Sequence, residues 1–140
     1  MQPGELHAFM TRFRYGVVSS IGASGAPQSA LVGIATTPAL EIVFDTIKES
    51  RKYPNLIKRP ACSLVVGWGG EQTVQYEGNA VEPTGEALER YRNAYFEVWP
   101  ECREHLSWLG LTHFAVRPTW IRYSDFAQSP PLIREFVFSH

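Results

Sequence analysis

Ser50, Arg51 and Lys52 stand side by side and offer one hydroxyl and two positive charges to a single anion. The stretch around them, Ile42 to Pro60, reads as a strand, a short polar turn and a helix. Ile42 and Phe44 face one way and Val43 and Asp45 the other, the period-two pattern of a half-buried strand. Tyr53, Leu56 and Ile57 follow at i, i+3 and i+4, one stripe of a helix that Pro60 closes. Ser50 is a good N-cap for that helix, and Pro54 is tolerable near its first turn. A helix start offers free N–H groups and about half a positive charge. With the Ser50 hydroxyl and the two cations it would hold a phosphate monoester. On spacing alone, a capped surface helix with solvated basic residues is the commoner meaning of such a stretch.

Other reactive side chains form weaker patterns. Cys102 and His105 are spaced as half a metal site, but no second pair in the sequence completes it, so a structural zinc is not expected. His7, His113 and His140 are scattered. His113 opens an apolar strand and reads as a satisfied structural histidine. Glu77 and Asp125 could work as paired carboxylates, but nothing in the sequence places them together. No nucleophile–histidine arrangement stands out, and no catalytic side chain can be named.

The elements that must position these residues follow from periodicity. Glu5 to Phe13 reads as a short amphipathic helix with Leu6, Phe9, Met10 and Phe13 on one side. Tyr15 to Ile21 and Gln28 to Thr36 read as a hairpin about a Gly/Ser/Pro turn. Ala61 to Gly67 and Gln72 to Glu82 are further strands, the latter broken or bulged near Gly78. Thr84 caps a helix with Leu88, Tyr91, Tyr95 and Val98 on its buried stripe, and Pro100 ends it. Glu101 to Leu109 is a further helical piece. Thr112 to Asp125 is a strand in which Pro118 argues for an edge or a bulge, and Leu132 to Phe138 has strand character. Six or seven strands, mainly antiparallel, with helices inserted between them, are most simply hidden by closing a barrel.

Composition narrows the class. The chain has 140 residues, 44% hydrophobic and 19% charged, which fits one globular domain spanning residues 1–140. A net charge of −1 gives no support for a nucleic-acid or acidic-membrane partner. Two cysteines make no disulfide framework, and Cys62 reads as a buried thiol. No apolar run approaches a membrane span and no signal peptide is seen, so a cytoplasmic location is the default expectation.

Asp45-Thr46 followed by Ser50-Arg51-Lys52 resembles the flavin mononucleotide (FMN) segment of the pyridoxamine 5'-phosphate oxidase-like split-barrel family, and Thr73-Val74-Gln75-Tyr76-Glu77-Gly78 is similar to that family's Gln-Val-Arg-Val-Glu-Gly strand. The pattern covers about Met10 to Asp125. The resemblance implies a mostly β fold, a split β-barrel of the FMN-binding type that forms a homodimer with the cofactor in the groove between subunits. Carried across, Ser50, Arg51 and Lys52 hold the phosphate, Asp45 and Thr46 lie along the flavin edge, and Thr73 with Gln72 comes from the second subunit. Three departures follow. Ser29 to Ile34 lacks the basic residues of the family's Arg-x-x-x-Leu-Leu-Lys strand. Asp45 and Ile47 replace an aromatic and an Asn. The ending Phe136-Val137-Phe138-Ser139-His140 lacks the Arg-Leu-His-Asp segment that handles pyridoxal phosphate. The implied activity is therefore that of an FMN-dependent oxidoreductase with its own small substrate. The alternatives are a relative that binds the deazaflavin F420 or haem, or a non-catalytic flavin-binding dimer. Trp68 and Trp120 are candidate aromatic walls for a flat ligand, although core packing is the commoner role.

Overall fold

Alternating side chains build the framework. The computed structural model describes residues 1–139, and His140 lies outside the described residues. Eight strands among the described residues form one sheet: β1 (Tyr15–Ile21), β2 (Pro27–Gly33), β3 (Ala35–Thr36), β4 (Ile42–Ile47), β5 (Ala61–Val66), β6 (Gln72–Val81), β7 (Leu111–Asp125) and β8 (Leu132–Val137). The strand order is β2-β1-β5-β6-β7-β4-β3, with β8 also paired to β7, and each pairing is antiparallel. The two ends of that path, β2 and β3, are consecutive in the chain, with only Ile34 between them. The sheet must therefore curl until its edges meet. The Ile34 N–H donates to the Arg14 carbonyl at 2.8 Å, extending the β1–β2 ladder past Tyr15 and Gly33, and the Ile34 side chain is fully buried. The result is a split β-barrel, as the resemblance implied.

The barrel interior is filled by the inward set of each strand, including Val18, Ile42, Phe44, Leu64, Val74, Tyr76, Phe114 and Ile121. Each large apolar side chain so buried contributes about 1.5–3 kcal/mol. Helix α1 (Pro3–Met10) plugs one end with Leu6, Phe9 and Met10. It starts two residues before the expected Glu5 because Pro3 suits a first turn and the Glu5 carboxylate accepts from the Gln2 N–H at 2.9 Å.

A second apolar cluster covers the outside of the barrel. Val43 of β4, Ala35 of β3 and Ala115 of β7 pack under Tyr91, Tyr95 and Phe96 of helix α3 (Gly85–Val98), with Trp99 and Cys102 beyond it. β4 is therefore buried on both faces. Leu88 and Val98, expected on the buried stripe, are only half-buried, and Phe96 and Trp99 take their place. The Trp99 indole N–H donates to the Ile34 carbonyl at 3.0 Å, which turns the end of α3 toward the barrel closure. A 3₁₀ helix (Pro100–Ser107) follows at once.

Pro118 sits where β7 changes partners. Below it β7 pairs with β4 up to Val116, and above it with β8 from Trp120 onward. On the other side the register shifts between Glu77 and Gly78, so that Gly78 faces Pro118 while Glu77 faces Trp120. The bulge expected of Gly78 and Pro118 is thus a single feature. The edge alternative fails, because β7 lies inside the sheet.

Tyr76 shows how the interior is specified. Its hydroxyl donates to the Leu40 carbonyl at 2.7 Å and lies 3.0 Å from the Val116 carbonyl. Leu40 is held at φ 66°, a conformation that costs a branched residue energy and that this contact helps to fix. Tyr76→Phe should cost about 2 kcal/mol, since it strands buried acceptors. Urea unfolding should show a lower midpoint at unchanged slope, and an unchanged midpoint would contradict this role.

Candidate functional site

Helix α2 (Lys52–Lys58) and its N-cap present the basic residues, and the side chains of three residues lock it to the barrel. The Asn55 amide donates to Ser20 Oγ at 3.1 Å and to Gln28 Oε1 at 3.0 Å. Arg59 Nε donates to the Ile21 carbonyl at 2.9 Å. The Tyr53 hydroxyl donates to Glu82 Oε1 at 2.9 Å. Of the expected stripe, Leu56 is buried and Ile57 is half exposed, because the polar Asn55 takes the inner position instead.

The helix starts one turn-residue later than the sequence suggested. Arg51, not Ser50, is the N-cap, with helical φ and ψ and no side-chain cap hydrogen bond. The Ser50 hydroxyl is engaged instead by Thr46, whose Oγ1 donates to it at 2.9 Å. Lys52 Nζ reaches the same Thr46 oxygen at 3.4 Å. Thr46, Ser50 and Lys52 thus form one polar corner at the end of β4, with exposed Arg51 beside it. Burial lowers the Lys52 pKa, and the Asp45 carboxylate pulls it the other way.

This corner opens onto a cavity of about 160 Å³ lined by Val18, Ser20, Gln28, Ser29 and Ala30 together with Arg51 and Lys52. Ser20 and Gln28 face each other in the β1–β2 ladder, as do Val18 and Ala30. Sequence reasoning missed Ser20 and Gln28. The available signal was that both are polar at positions where the alternation calls for an inward residue.

Asp45 points elsewhere. As the neighbour of Thr46 on a strand it faces the opposite side, under α3. There Asp45 Oδ2 lies 2.7 Å from His105 Nδ1, and the Tyr95 hydroxyl donates to Oδ1 at 3.2 Å. Trp108 stacks on the His105 ring, with centroids 3.8 Å apart. Cys102 is buried in the same group, and burial, then the Asp45 charge, raises its thiol pKa. His113 faces Asp45 across the β4–β7 ladder. Burial holds it neutral, with its pKa lowered to about 4. It is not the fully satisfied histidine expected, since Nδ1 is 3.4 Å from Arg92 Nε but buried Nε2 has no partner among the described residues.

Gln72 and Thr73 are not brought to the basic corner within one chain. They open β6, with the Gln72 amide donating to the Tyr123 hydroxyl and Thr73 paired to Ser124. Tyr53 of α2 instead bonds Glu82, just past the other end of β6. Ten residues of strand separate the two ends, about 30 Å. Glu77 and Asp125 are likewise apart, Glu77 facing Trp120 and Asp125 facing Gln72. Trp68 is 54% exposed, so core packing does not account for it, whereas Trp120 is half-buried on β7. Cys62 is buried as expected, with its thiol pushed up to about 12 by desolvation.

No helix among the described residues is long and apolar enough to cross a membrane. A family model described as pyridoxamine 5'-phosphate oxidase matches residues 3–125. No curated protein matches the sequence. Among solved structures, a heme binding protein from Mycobacterium smegmatis superposes with a TM-score of 0.81 at 14% identity, covering 98% of this chain. This chain spans only 58% of that protein's length. A conserved hypothetical protein from Mycobacterium tuberculosis gives 0.74 at 24% identity, over 89% of this chain and 85% of the other. A pyridoxamine 5'-phosphate oxidase-related, FMN binding protein from Nostoc punctiforme gives 0.68 at 10% identity, over 99% and 93%. At such identities the likeness is one of fold.

Proposed function

The chain belongs to the pyridoxamine 5'-phosphate oxidase family, and from that premise we propose that it is an FMN-binding oxidoreductase of small molecules, working as a homodimer. The observation that carries the reading is the polar corner of Thr46, Ser50 and Lys52 beside Arg51, at the mouth of a cavity. Its donor set fits a phosphate monoester: two cations and two hydroxyls, set between the end of β4 and the start of α2, the helix that Asn55, Arg59 and Tyr53 tie to the barrel. Preorganised charged donors of this kind are the strong ones. When bound, the flavin would supply hydride or electron-pair transfer, and the protein would supply binding and orientation. Lys52 and Arg51 neutralise the phosphate, Thr46 orients Ser50, and Ser20 and Gln28 line the wall behind them.

The size of the cavity supports a second subunit. Sites that enclose a drug-sized ligand run to roughly 300–1,000 Å³, and this one is about 160 Å³. It takes the phosphate end, and the ring system must lie outside it. Gln72 and Thr73, at the far end of β6, could reach that ring only from a partner. The outer face of β2, β1 and β5 carries Leu31, 63% exposed, and Val65, 41% exposed, flanking Val17 in one cross-strand row. That apolar row suits a partner surface. Light scattering at micromolar concentration should give twice the chain mass, and a monomer would remove the subunit-shared site.

The haem reading draws on the fold shared with the M. smegmatis protein. Against it, the described lining of the cavity holds no histidine, cysteine, methionine or tyrosine to ligate iron. Absorption titration of the purified protein with FMN, haemin and F420 separates the readings. Saturation by FMN near one per chain is expected. Saturation by haemin or F420 alone would replace this reading.

Lys52 gives the binding a pH signature. Burial lowers its pKa in the free protein, and a bound phosphate dianion would raise it again, so binding takes up a proton in the interval between the two values. FMN affinity should therefore fall as pH rises through the lowered Lys52 value, before the ordinary lysine range is reached. At the acid end it should fall below about pH 6, where a phosphate monoester gains its second proton. Calorimetry in two alkaline buffers of different ionisation enthalpy reads the proton uptake. No uptake would count against Lys52 as a phosphate ligand.

A further inference from the structure

The outer face of β4 carries a group of side chains that the flavin reading does not use. Among the described residues, Asp45, Cys102 and His105 are the one group of three or more His, Cys, Asp and Glu whose donor atoms could share an ion, all within 4.8 Å of one another. We propose that these three residues form a binding site for a thiophilic divalent transition metal, Zn(II) being the best match. The site ties the 3₁₀ helix to the barrel.

The local geometry follows from the sequence. Cys102 and His105 are three residues apart, and in a 3₁₀ helix, with three residues per turn, side chains at i and i+3 eclipse. Thiol and imidazole are therefore stacked on one face, a placement an α-helix would stagger. The third donor comes from β4, whose alternation turns Asp45 to this side and Thr46 to the other. The donors are one sulfur, one imidazole nitrogen and one carboxylate oxygen, a set that suits tetrahedral zinc. In such a site the bonds are about 2.3 Å to sulfur and about 2.0–2.2 Å to nitrogen and oxygen. Donors already within 4.8 Å need only side-chain adjustments to close around an ion.

The surroundings fit a ligand site better than a plain ion pair. His105 Nδ1 and Asp45 Oδ2 at 2.7 Å would satisfy each other without a metal. The Cys102 thiol, which the 3₁₀ spacing brings against that pair, hydrogen-bonds with the Tyr95 hydroxyl that also donates to Asp45. The carboxylate has an outer-shell hydrogen bond and the imidazole is packed against rotation. The Tyr95 hydroxyl donates to the Asp45 oxygen turned away from His105, and Trp108 packs flat on the His105 ring. Asp45 and His105 keep 15% and 23% of their side chains exposed, so the group is in contact with solvent, which would supply the fourth ligand. Binding displaces the thiol proton to solvent as the sulfur–metal bond forms, with no change of oxidation state.

The test is titration of the whole, reduced protein with Co(II), followed by competition with Zn(II). The wild type should take one Co(II) per chain, with a thiolate-to-cobalt charge-transfer band and the intense visible bands of a tetrahedral site, and Zn(II) should bleach both. Cys102→Ser should abolish the charge-transfer band and weaken Zn(II) binding by more than the roughly 100-fold that loss of an outer-shell partner can cost. His105→Ala, at a partly exposed residue, should do the same and guards against a folding defect in the first variant. Cys62→Ser should leave the spectrum intact. Zn(II) should raise the thermal midpoint of the wild type but not of Cys102→Ser. Absence of the charge-transfer band in the wild type, or its survival in Cys102→Ser with loss in Cys62→Ser, overturns the site. None of these readouts depends on flavin binding.

Discussion

Replacing Arg51 and Lys52 together by Ala should reduce FMN affinity by roughly two to three orders of magnitude. Charge-assisted hydrogen bonds to a phosphate are worth about 1.5–3 kcal/mol each, and about 1.4 kcal/mol is tenfold in affinity. Solvent weakens the contribution of exposed Arg51, and half-buried Lys52 should carry more of the effect. Riboflavin, which lacks the phosphate, should bind the double variant and the wild type alike. Stability without flavin should change little, because α2 is held by Asn55, Arg59 and Tyr53 rather than by these two residues. Parallel titrations of both flavins against both proteins decide the matter. Equal losses for FMN and riboflavin would mean that Arg51 and Lys52 do not read the phosphate.

Gly78→Ala should destabilise the fold by about 3 kcal/mol, toward the upper end of the range for overpacking. A Cβ at Gly78 would stand 2.4 Å from the Arg117 backbone carbonyl oxygen and 2.9 Å from Val116 Cγ1. The oxygen belongs to β7, the strand held by β6 on one side and by β4 and β8 on the other, so it cannot retreat cheaply. Gly69→Ala is the matched control, since nothing lies within 4 Å of its Cβ. Chemical unfolding should separate the two variants clearly. Equal midpoints would mean that the bulge absorbs a side chain.

Much of this architecture was legible because it is local. β1 spans Tyr15–Ile21, the residues whose apolar, β-branched character reads as a strand, and Gly78 and Pro118 announce the bulge. Thr84 marked the start of α3. What was hidden depends on partners distant in sequence. Ser50 was a sound cap by residue type, but Thr46 on the preceding strand competes for its hydroxyl, and the helix begins at Lys52. Ile57 fitted a helical stripe, yet Asn55 faces inward because Ser20 and Gln28 supply matching polar groups more than twenty residues away. Cys102 and His105 were visible as half a metal site, while their third donor, Asp45, comes from a strand placed there only by the curl of the sheet. Asp45 is grouped with Thr46 only by the family resemblance, though adjacent strand residues face opposite sides.

In the proposed function, Thr46, Ser50, Arg51 and Lys52 receive the phosphate of a flavin shared between two subunits. A crystal structure of the protein grown with FMN tests it most directly. The account predicts density for the phosphate within hydrogen-bonding distance of Ser50, Arg51 and Lys52, at the mouth of the cavity lined by Ser20 and Gln28, with the flavin ring extending toward Gln72 and Thr73 of a second subunit. FMN bound with its phosphate elsewhere, or a ring enclosed by one chain alone, would contradict it.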